Sequence, residues 1–404
     1  MKIKKASFVT FVLLLVSIVF SIADWRLGLI TFADIFLVLI LTTLIFFNII
    51  NNNVFILKSQ VFLVILFTVI VLTNILLNLF LNTSFSFSDG IQGFIKVIFY
   101  LLTVILIFNF IREKKKEKEL LNIFSYTAVV VSLIGIYITI SIHFQGIFPY
   151  EFFWNFTRQD LGSYIYRGAW TGIIRTRSIF DEPAHLGFYL NAVLAVLYFN
   201  KFNVSIKKSH DFIITVTILL TFSYSAILIM IGIKFLYYFS WSKFISFVSR
   251  KRFILSVILV AIVISLFWDT IEETIIVRTQ EILSGKDGSG NARIEKSWSY
   301  VNLDYIFMGN GIGNTPTIYN IYAYILSDLG LISFILFILF NVYLLYYNPK
   351  LALAFIALNF QKGGYLGAGY WVFITLVIVS SFQNKFNKST KKTISTGVRE
   401  GFDD

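Results

Sequence analysis

Apolar residues fall in long runs along this chain, at about 7–23, 28–50, 60–82, 91–111, 120–143, 184–200, 253–267 and 320–347. Such runs predict helices that cross a bilayer, whose hydrocarbon core takes about 20 apolar residues to span. Two further runs are interrupted. Residues 212–238 break at "TFSYSA" (Thr221 to Ala226), where hydroxyl side chains compete for backbone hydrogen bonds. Residues 351–382 break at "QKGGYLGAG" (Gln361 to Gly369). Splitting both into paired short helices predicts an all-α polytopic integral membrane protein with about twelve transmembrane helices. The whole of 1–404 reads as one transmembrane domain, with long external loops at about 144–183 and 268–319 and a cytoplasmic tail at about 383–404. The first run follows Lys2, Lys4 and Lys5, as a signal peptide would, but it is long for one and fits a spanning helix better.

Charge orients the spans. With both termini cytoplasmic, "REKKKEKE" (Arg112 to Glu119), "KKSH" (Lys207 to His210), "RKR" (Arg250 to Arg252) and the lysine-rich tail face inward, as the positive-inside rule requires. The two cations then divide unequally. The inner side holds 18 Lys and 4 Arg, whereas the outer side holds 3 Lys and Arg26, Arg158, Arg167, Arg175, Arg177, Arg278 and Arg293. One reading is that a lysine-biased composition and chance produce that division. The functional reading is that planar guanidinium forks, which match phosphate or carboxylate oxygens, are wanted at the outer boundary for an anionic ligand.

Composition narrows the chemistry. The chain is 57% hydrophobic and 14% charged, with mean hydropathy +0.79, so the bilayer is its solvent. The net charge of +12 reflects basic cytoplasmic loops, and no nucleic acid partner is expected. Without cysteine there is no disulfide, thiolate metal site or cysteine nucleophile. His143, His185 and His210 lie far apart, so neither a metal nor a cofactor is predicted.

The first external loop ends in "RTRSIFDEPAHLGFYL" (Arg175 to Leu190). Pro183 suits the first position of a helix. Asp181 and Glu182 stand before it, near the positive end of the helix dipole. Asp181 reads as a capping acid; Glu182 is a candidate general base or a partner that orients an arginine. His185 is either a second candidate base or a structural histidine at the interface. In the second loop Ala292 to Phe307 reads as an amphipathic surface helix with Ile294, Trp298, Val301 and Tyr305 on one face and Arg293 in its first turn. "GNGIGNTP" (Gly309 to Pro316) lacks the strand context of a dinucleotide motif and reads as a tight, backbone-exposing turn. Charges inside spans are costly and usually functional. Asp34, Lys96 and Asp328 fall in the outer half and suggest a polar cavity open outward, while Lys234 near the inner end is expected to snorkel.

The order of these pieces resembles the O-antigen polymerase and ligase superfamily of bacterial polysaccharide assembly. The matching residues are "RTRSIFDEPAHLGFYL", "TFSYSAIL" (Thr221 to Leu228), "GNARIEKSW" (Gly290 to Trp298), "GNGIG" (Gly309 to Gly313), "YNIYAYILSDLGLIS" (Tyr319 to Ser333) and "GYWVFITLVI" (Gly369 to Ile378). The resemblance covers roughly residues 60–382. It implies a metal-independent, inverting glycosyltransferase of the GT-C class in the bacterial cytoplasmic (inner) membrane, joining oligosaccharide repeat units carried on undecaprenyl diphosphate. It also implies partner proteins that set chain length and flip the lipid-linked unit. Carried over by position, Arg177 and Arg293 would bind the diphosphate, with Arg175 and Arg167 assisting, and Glu182 matches the motif glutamate. Tyr319, followed by Asn320, stands where the ligase branch has a histidine, which favours a polymerase and leaves Glu182, His185 or Asp328 as the base. Asp34 and Lys96 would support the site. A ligase acting on a terminal acceptor, a lipid-linked oligosaccharide flippase or other transporter, and a scaffold of the assembly complex are the competing readings.

Overall fold

The structure, a computed structural model, describes residues 5–28, 30–50, 56–144, 148–157, 165–167, 171–239, 288–316 and 318–382, with isolated positions between 265 and 284. It is built from helices α1 (Lys5–Ser21), α2 (Phe32–Ile50), α3 (Lys58–Leu81), α4 (Phe87–Lys114), α5 (Glu117–His143), α6 (Pro183–Phe199), α7 (Lys208–Leu220), α8 (Tyr224–Tyr238), α9 (Gly288–Ser299), α10 (Ile321–Tyr347), α11 (Pro349–Gln361) and α12 (Ala368–Ser381). Four of these, α3, α4, α5 and α10, are long and apolar enough to cross a membrane, and shorter apolar helices accompany them. In hydrocarbon, backbone groups must pair internally, and helices do this within one segment. Both predicted breaks are present, between α7 and α8 and between α11 and α12. The predicted span at 253–267, Arg158, Arg278 and the tail lie outside the described residues.

α6 is the central element. Every residue from Leu186 to Phe199 is buried, so it has no lipid-facing stripe. It packs on α5, α7, α8, α11 and α12, while α1 joins α2, α5 and α12. α3 lies at the periphery, with Phe62, Ile65, Val69, Leu76 and Phe80 exposed toward the apolar surroundings.

Two sets of loops mark the two ends of the bundle. At one end the Arg26 amide donates to Phe156, and the Asn82 side chain to the carbonyl of Asn310. At the other, Asn348 Nδ2 donates to the Phe199 carbonyl at 2.7 Å and the Lys201 amide to Ser380 at 3.1 Å. Arg112 closes this second, lysine-rich end. It pairs with Glu117 at 2.9 Å and donates to the carbonyls of Val379, in the last turn of α12, and of Phe382 just beyond it. The first end carries the Arg175–Glu182 segment and is termed the site face.

Several expectations need correction. The fold is not wholly α: β1 (Arg26–Leu27) pairs with β2 (Ile30–Thr31), and β3 (Ile165–Arg167) with β4 (Thr171–Ile174), each as a two-stranded antiparallel ribbon. Both lie in loops, where short chain reversals satisfy backbone groups locally. The surface helix runs from Gly288 to Ser299 instead of Ala292 to Phe307, and its last turn buries Ser297 while Trp298 is exposed. Lys234, one turn before the end of α8, reaches Asp211 in the first turn of α7 at 2.8 Å, beside the Tyr198 hydroxyl, so its charge has a partner at the lysine-rich end.

The run at 320–347 is not one straight span. α10 is broken at Gly330, whose φ of 75° and ψ of −175° are accessible essentially only to glycine. Tyr322 Oη donates to Asn341 Oδ1 at 3.3 Å, although a straight helix would separate residues 19 apart by about 28 Å. The two halves therefore fold back on each other. The break frees the carbonyls of Ser327 and Asp328, and the amides of Asn310 and Gly311 fill them at 2.6 and 3.1 Å.

Candidate functional site

α1 ends at Ser21, and the turn that follows delivers Asp24 beneath the start of α6. Trp25 Nε1 donates to the Ile179 carbonyl at 2.8 Å, which pins this turn to the segment leading into α6. Glu182 is the N-cap of α6 and Pro183 its first residue, as the sequence predicts, so His185 sits in the opening turn. Its Nδ1 lies 2.7 Å from Asp24 Oδ2, and its Nε2 lies 4.0 Å from Glu182 Oε2. The Asp181 amide donates to the same Asp24 oxygen at 3.2 Å, and Lys362 Nζ approaches the other at 3.5 Å. Burial alone would push the Asp24 carboxyl up. The charges of His185 and Lys362, with hydrogen bonds from His185 and the Asp181 amide, outweigh burial and hold it well below the usual carboxylate range. An ionised Asp24 accepts the Nδ1 hydrogen, and the Nε2 edge of the ring is then the one turned toward Glu182.

The arginine segment is built against the break between α7 and α8. That break leaves the carbonyls of Leu220 and Thr221 without the helical partners a continuous span would provide. They accept from the Thr176 amide at 2.9 Å and from Arg175 Nε at 3.1 Å. Arg175 is half-buried. Arg177 is only 3% exposed; its guanidinium stacks over Trp154 at 3.8 Å and donates to the Asp181 carbonyl at 3.0 Å. Trp154 Nε1 in turn donates to the Ser178 carbonyl at 2.6 Å. Arg177 thus braces the loop that places Asp181, Glu182 and His185. Arg167 ends β3, in register with Thr171, and Arg293 lies within α9.

Asp328 is fully buried, and its carboxylate is already engaged. Oδ1 accepts from the Thr315 amide at 3.0 Å; Oδ2 accepts from the Gly313 amide at 3.0 Å and Tyr365 Oη at 2.7 Å. These bonds clamp the "GNGIGNTP" turn, in which Gly309, Gly311 and Gly313 all have positive φ, as a backbone-exposing turn requires. The geometry makes Asp328 a clamp in place of a base. Asn74, Asn78 and Asn82 hold the turn from α3: Asn74 donates to the carbonyls of Met308 and Asp328 and accepts from the Ile312 amide. Asn320 caps α10 by accepting from the amides of Tyr322 and Ala323, and Tyr319 before it is 38% exposed.

The three predicted membrane charges make separate contacts. Asp34 accepts from Tyr100 Oη at 2.6 Å, Asp328 serves the turn, and Lys96 is exposed. Asp34 and Asp328 are related instead through the α11–α12 connection. Tyr100 also approaches the Leu366 carbonyl at 3.3 Å, Tyr365 reaches Asp328, and Lys362 reaches Asp24. At Gly363 an added Cβ would lie 1.4 Å from the Ile318 carbonyl, so only glycine permits this close approach. Asp24, Lys362, Tyr365 and the asparagine ladder were not among the residues singled out from sequence. The ladder had a signal: three asparagines at four-residue spacing in an apolar span. Asp24 and Lys362 had only their positions beside the predicted outer ends of spans. No protein-family model matches this chain, and no curated protein or solved structure shows similarity to it.

Proposed function

We propose that this protein is a polysaccharide polymerase of the GT-C type, an inverting, metal-independent glycosyltransferase using lipid-diphosphate-linked oligosaccharides. The observation that carries the reading is the His185 imidazole, anchored through Nδ1 on a buried carboxylate with Nε2 directed to the Glu182 side. That is what a general base for a sugar hydroxyl needs. His185 Nε2 takes the proton of the acceptor hydroxyl as its oxygen bonds to the anomeric carbon. The bond from that carbon to the phosphate oxygen breaks on the opposite side, and the lipid diphosphate leaves with the electron pair. Arg175, Arg293 and Arg167 meet the developing negative charge, and Arg177 keeps the Arg175–His185 segment in shape. Glu182 flanks Nε2 and favours the imidazolium formed in the step. The arginine bias of the site face and the lysines at the other end support an outer-face site with cytoplasmic termini.

Purified protein in lipid nanodiscs, given a synthetic undecaprenyl-diphosphate repeat unit, is expected to yield a ladder of glycan lengths and free undecaprenyl diphosphate. A broken span with a buried carboxylate is also a feature of transporters, and α10 has both. Passage of the intact lipid-linked unit across liposomes, with no new glycosidic bond, would replace the polymerase with that second reading.

A further inference from the structure

Lys362 stands apart from the other lysines. Most occupy the opposite end of the chain's topology, and Lys296, also on the site-face side, is an exposed residue of α9. Lys362 instead sits between Gln361, the last residue of α11, and the Gly363–Gly364 pair, with its side chain 24% exposed. Its contact with Asp24 is long, at 3.5 Å, whereas His185 and the Asp181 amide hold the other oxygen of that carboxylate at 2.7 and 3.2 Å. Its ammonium lies 5.7 Å from the centre of the Phe188 ring, one turn along α6 from His185. A strongly held structural cation would sit closer, as Lys234 does to Asp211 at 2.8 Å. This one rests beside a carboxylate that already has two donors, with a flexible four-carbon stem able to carry its charge a short way. Gly364 has a φ of +107° and nothing within 4 Å of where a Cβ would stand, so the space immediately beside this backbone, two residues from Lys362, is unfilled.

We infer that Lys362 binds the diphosphate of a polyprenyl-linked substrate, leaving Asp24 to His185 when the lipid arrives. This rests on the glycosyl-transfer reading above and adds a cation from the α11–α12 connection to the arginines of the long loops. The ammonium is a point donor to a phosphate oxygen. The diphosphate would thereby lie on the Lys362 side of Asp24, close to the imidazole that serves the attacking hydroxyl.

Two measurements on the full chain in nanodiscs test this, with undecaprenyl diphosphate as the anionic probe and undecaprenol as the uncharged one. In the first, Lys362→Gln weakens the Kd for undecaprenyl diphosphate on the order of tenfold and leaves that for undecaprenol unchanged, while Lys362→Arg restores most of the loss. In the second, acetylation of Lys362 in the wild-type protein, read by peptide mass spectrometry, falls when undecaprenyl diphosphate is added and not when undecaprenol is. The second needs no variant, so it decides the matter if Lys362→Gln does not fold. Equal diphosphate affinity in a folded Lys362→Gln protein, or undiminished acetylation with the lipid demonstrably bound, overturns the role of Lys362 and leaves the glycosyl-transfer reading intact. Failure of the wild type to bind undecaprenyl diphosphate at all overturns both.

Discussion

Replacing Gly330 by alanine tests how the site face is assembled. The residue's φ of 75° and ψ of −175° belong to a region that costs other residues about 1–3 kcal/mol. An added Cβ would also lie 2.3 Å from the Phe307 carbonyl oxygen and 2.8 Å from the Gly309 amide nitrogen. Both are backbone atoms of the inserted turn, so no side chain can rotate away. Overpacking of this kind costs roughly 1–3 kcal/mol more. Together the two effects predict about 2–6 kcal/mol of destabilisation. Large domains lose about 2–4 °C of Tm per kcal/mol, so Gly330→Ala is expected to melt at least about 4 °C below wild type in the same detergent. Gly232→Ala is the matched comparison. Gly232 lies inside α8, and its added Cβ would meet nothing within 4 Å. There the substitution is expected to be neutral or to stabilise by about 0.5 kcal/mol through helix propensity. Tm values for the two variants within 1 °C of each other, an order-of-magnitude limit on the method, would refute the account of the α10 break.

Three further outcomes follow from neighbouring contacts. Asn74→Leu leaves the buried Ile312 amide without its side-chain partner, at about 1–3 kcal/mol, and the Met308 carbonyl with only the 3.4 Å contact from Asn78, and is expected to lower the Tm and speed proteolysis within residues 305–316; an unchanged digest would argue against the asparagine ladder as the clamp. The Asp24 carboxyl is held below its ordinary value, so its stabilising contribution is present above the unfolded pKa of about 4 and is lost as pH falls through the folded value. The Tm difference between wild type and Asp24→Asn should therefore be constant at neutral pH and shrink only below about pH 4, and a difference that disappears at pH 6 contradicts the assignment. Lys234→Met should destabilise by more than the double variant Lys234→Met/Asp211→Asn, with a coupling of about 1 kcal/mol in a double-mutant cycle on thermal unfolding; additivity would mean that the 2.8 Å pair contributes nothing.

How far the sequence carries depends on whether a feature is local. Among the described residues the apolar helices, the two helix breaks and the Pro183 start of α6 follow from hydrophobic run length and backbone chemistry, and they stand near the positions the residues imply. The reversal inside α10 does not. Gly330 lies within an apolar run, and only the docking of the turn around Phe307 to Gly313, about twenty positions earlier in sequence, makes a positive φ necessary there. The same limit applied to the charges. Counting residues from the ends of spans placed Asp34, Lys96 and Asp328 at similar depths, but depth says nothing about which way a side chain points. Lys96 faces outward, while the other two are held by tyrosines of different elements. Asp24 pairs with His185 across 161 positions of sequence, a relation that no local pattern records.

The most direct test of the proposed chemistry is the turnover of His185→Gln beside wild type, each in nanodiscs with the same undecaprenyl-diphosphate repeat unit and matched for lipid binding. Loss of a positioned general base is expected to slow glycosidic bond formation by about 100-fold or more while the lipid still binds. A His185→Gln protein that builds the same ladder at the wild-type rate would show that the imidazole on Asp24 is not the base, and the account of this site would fail.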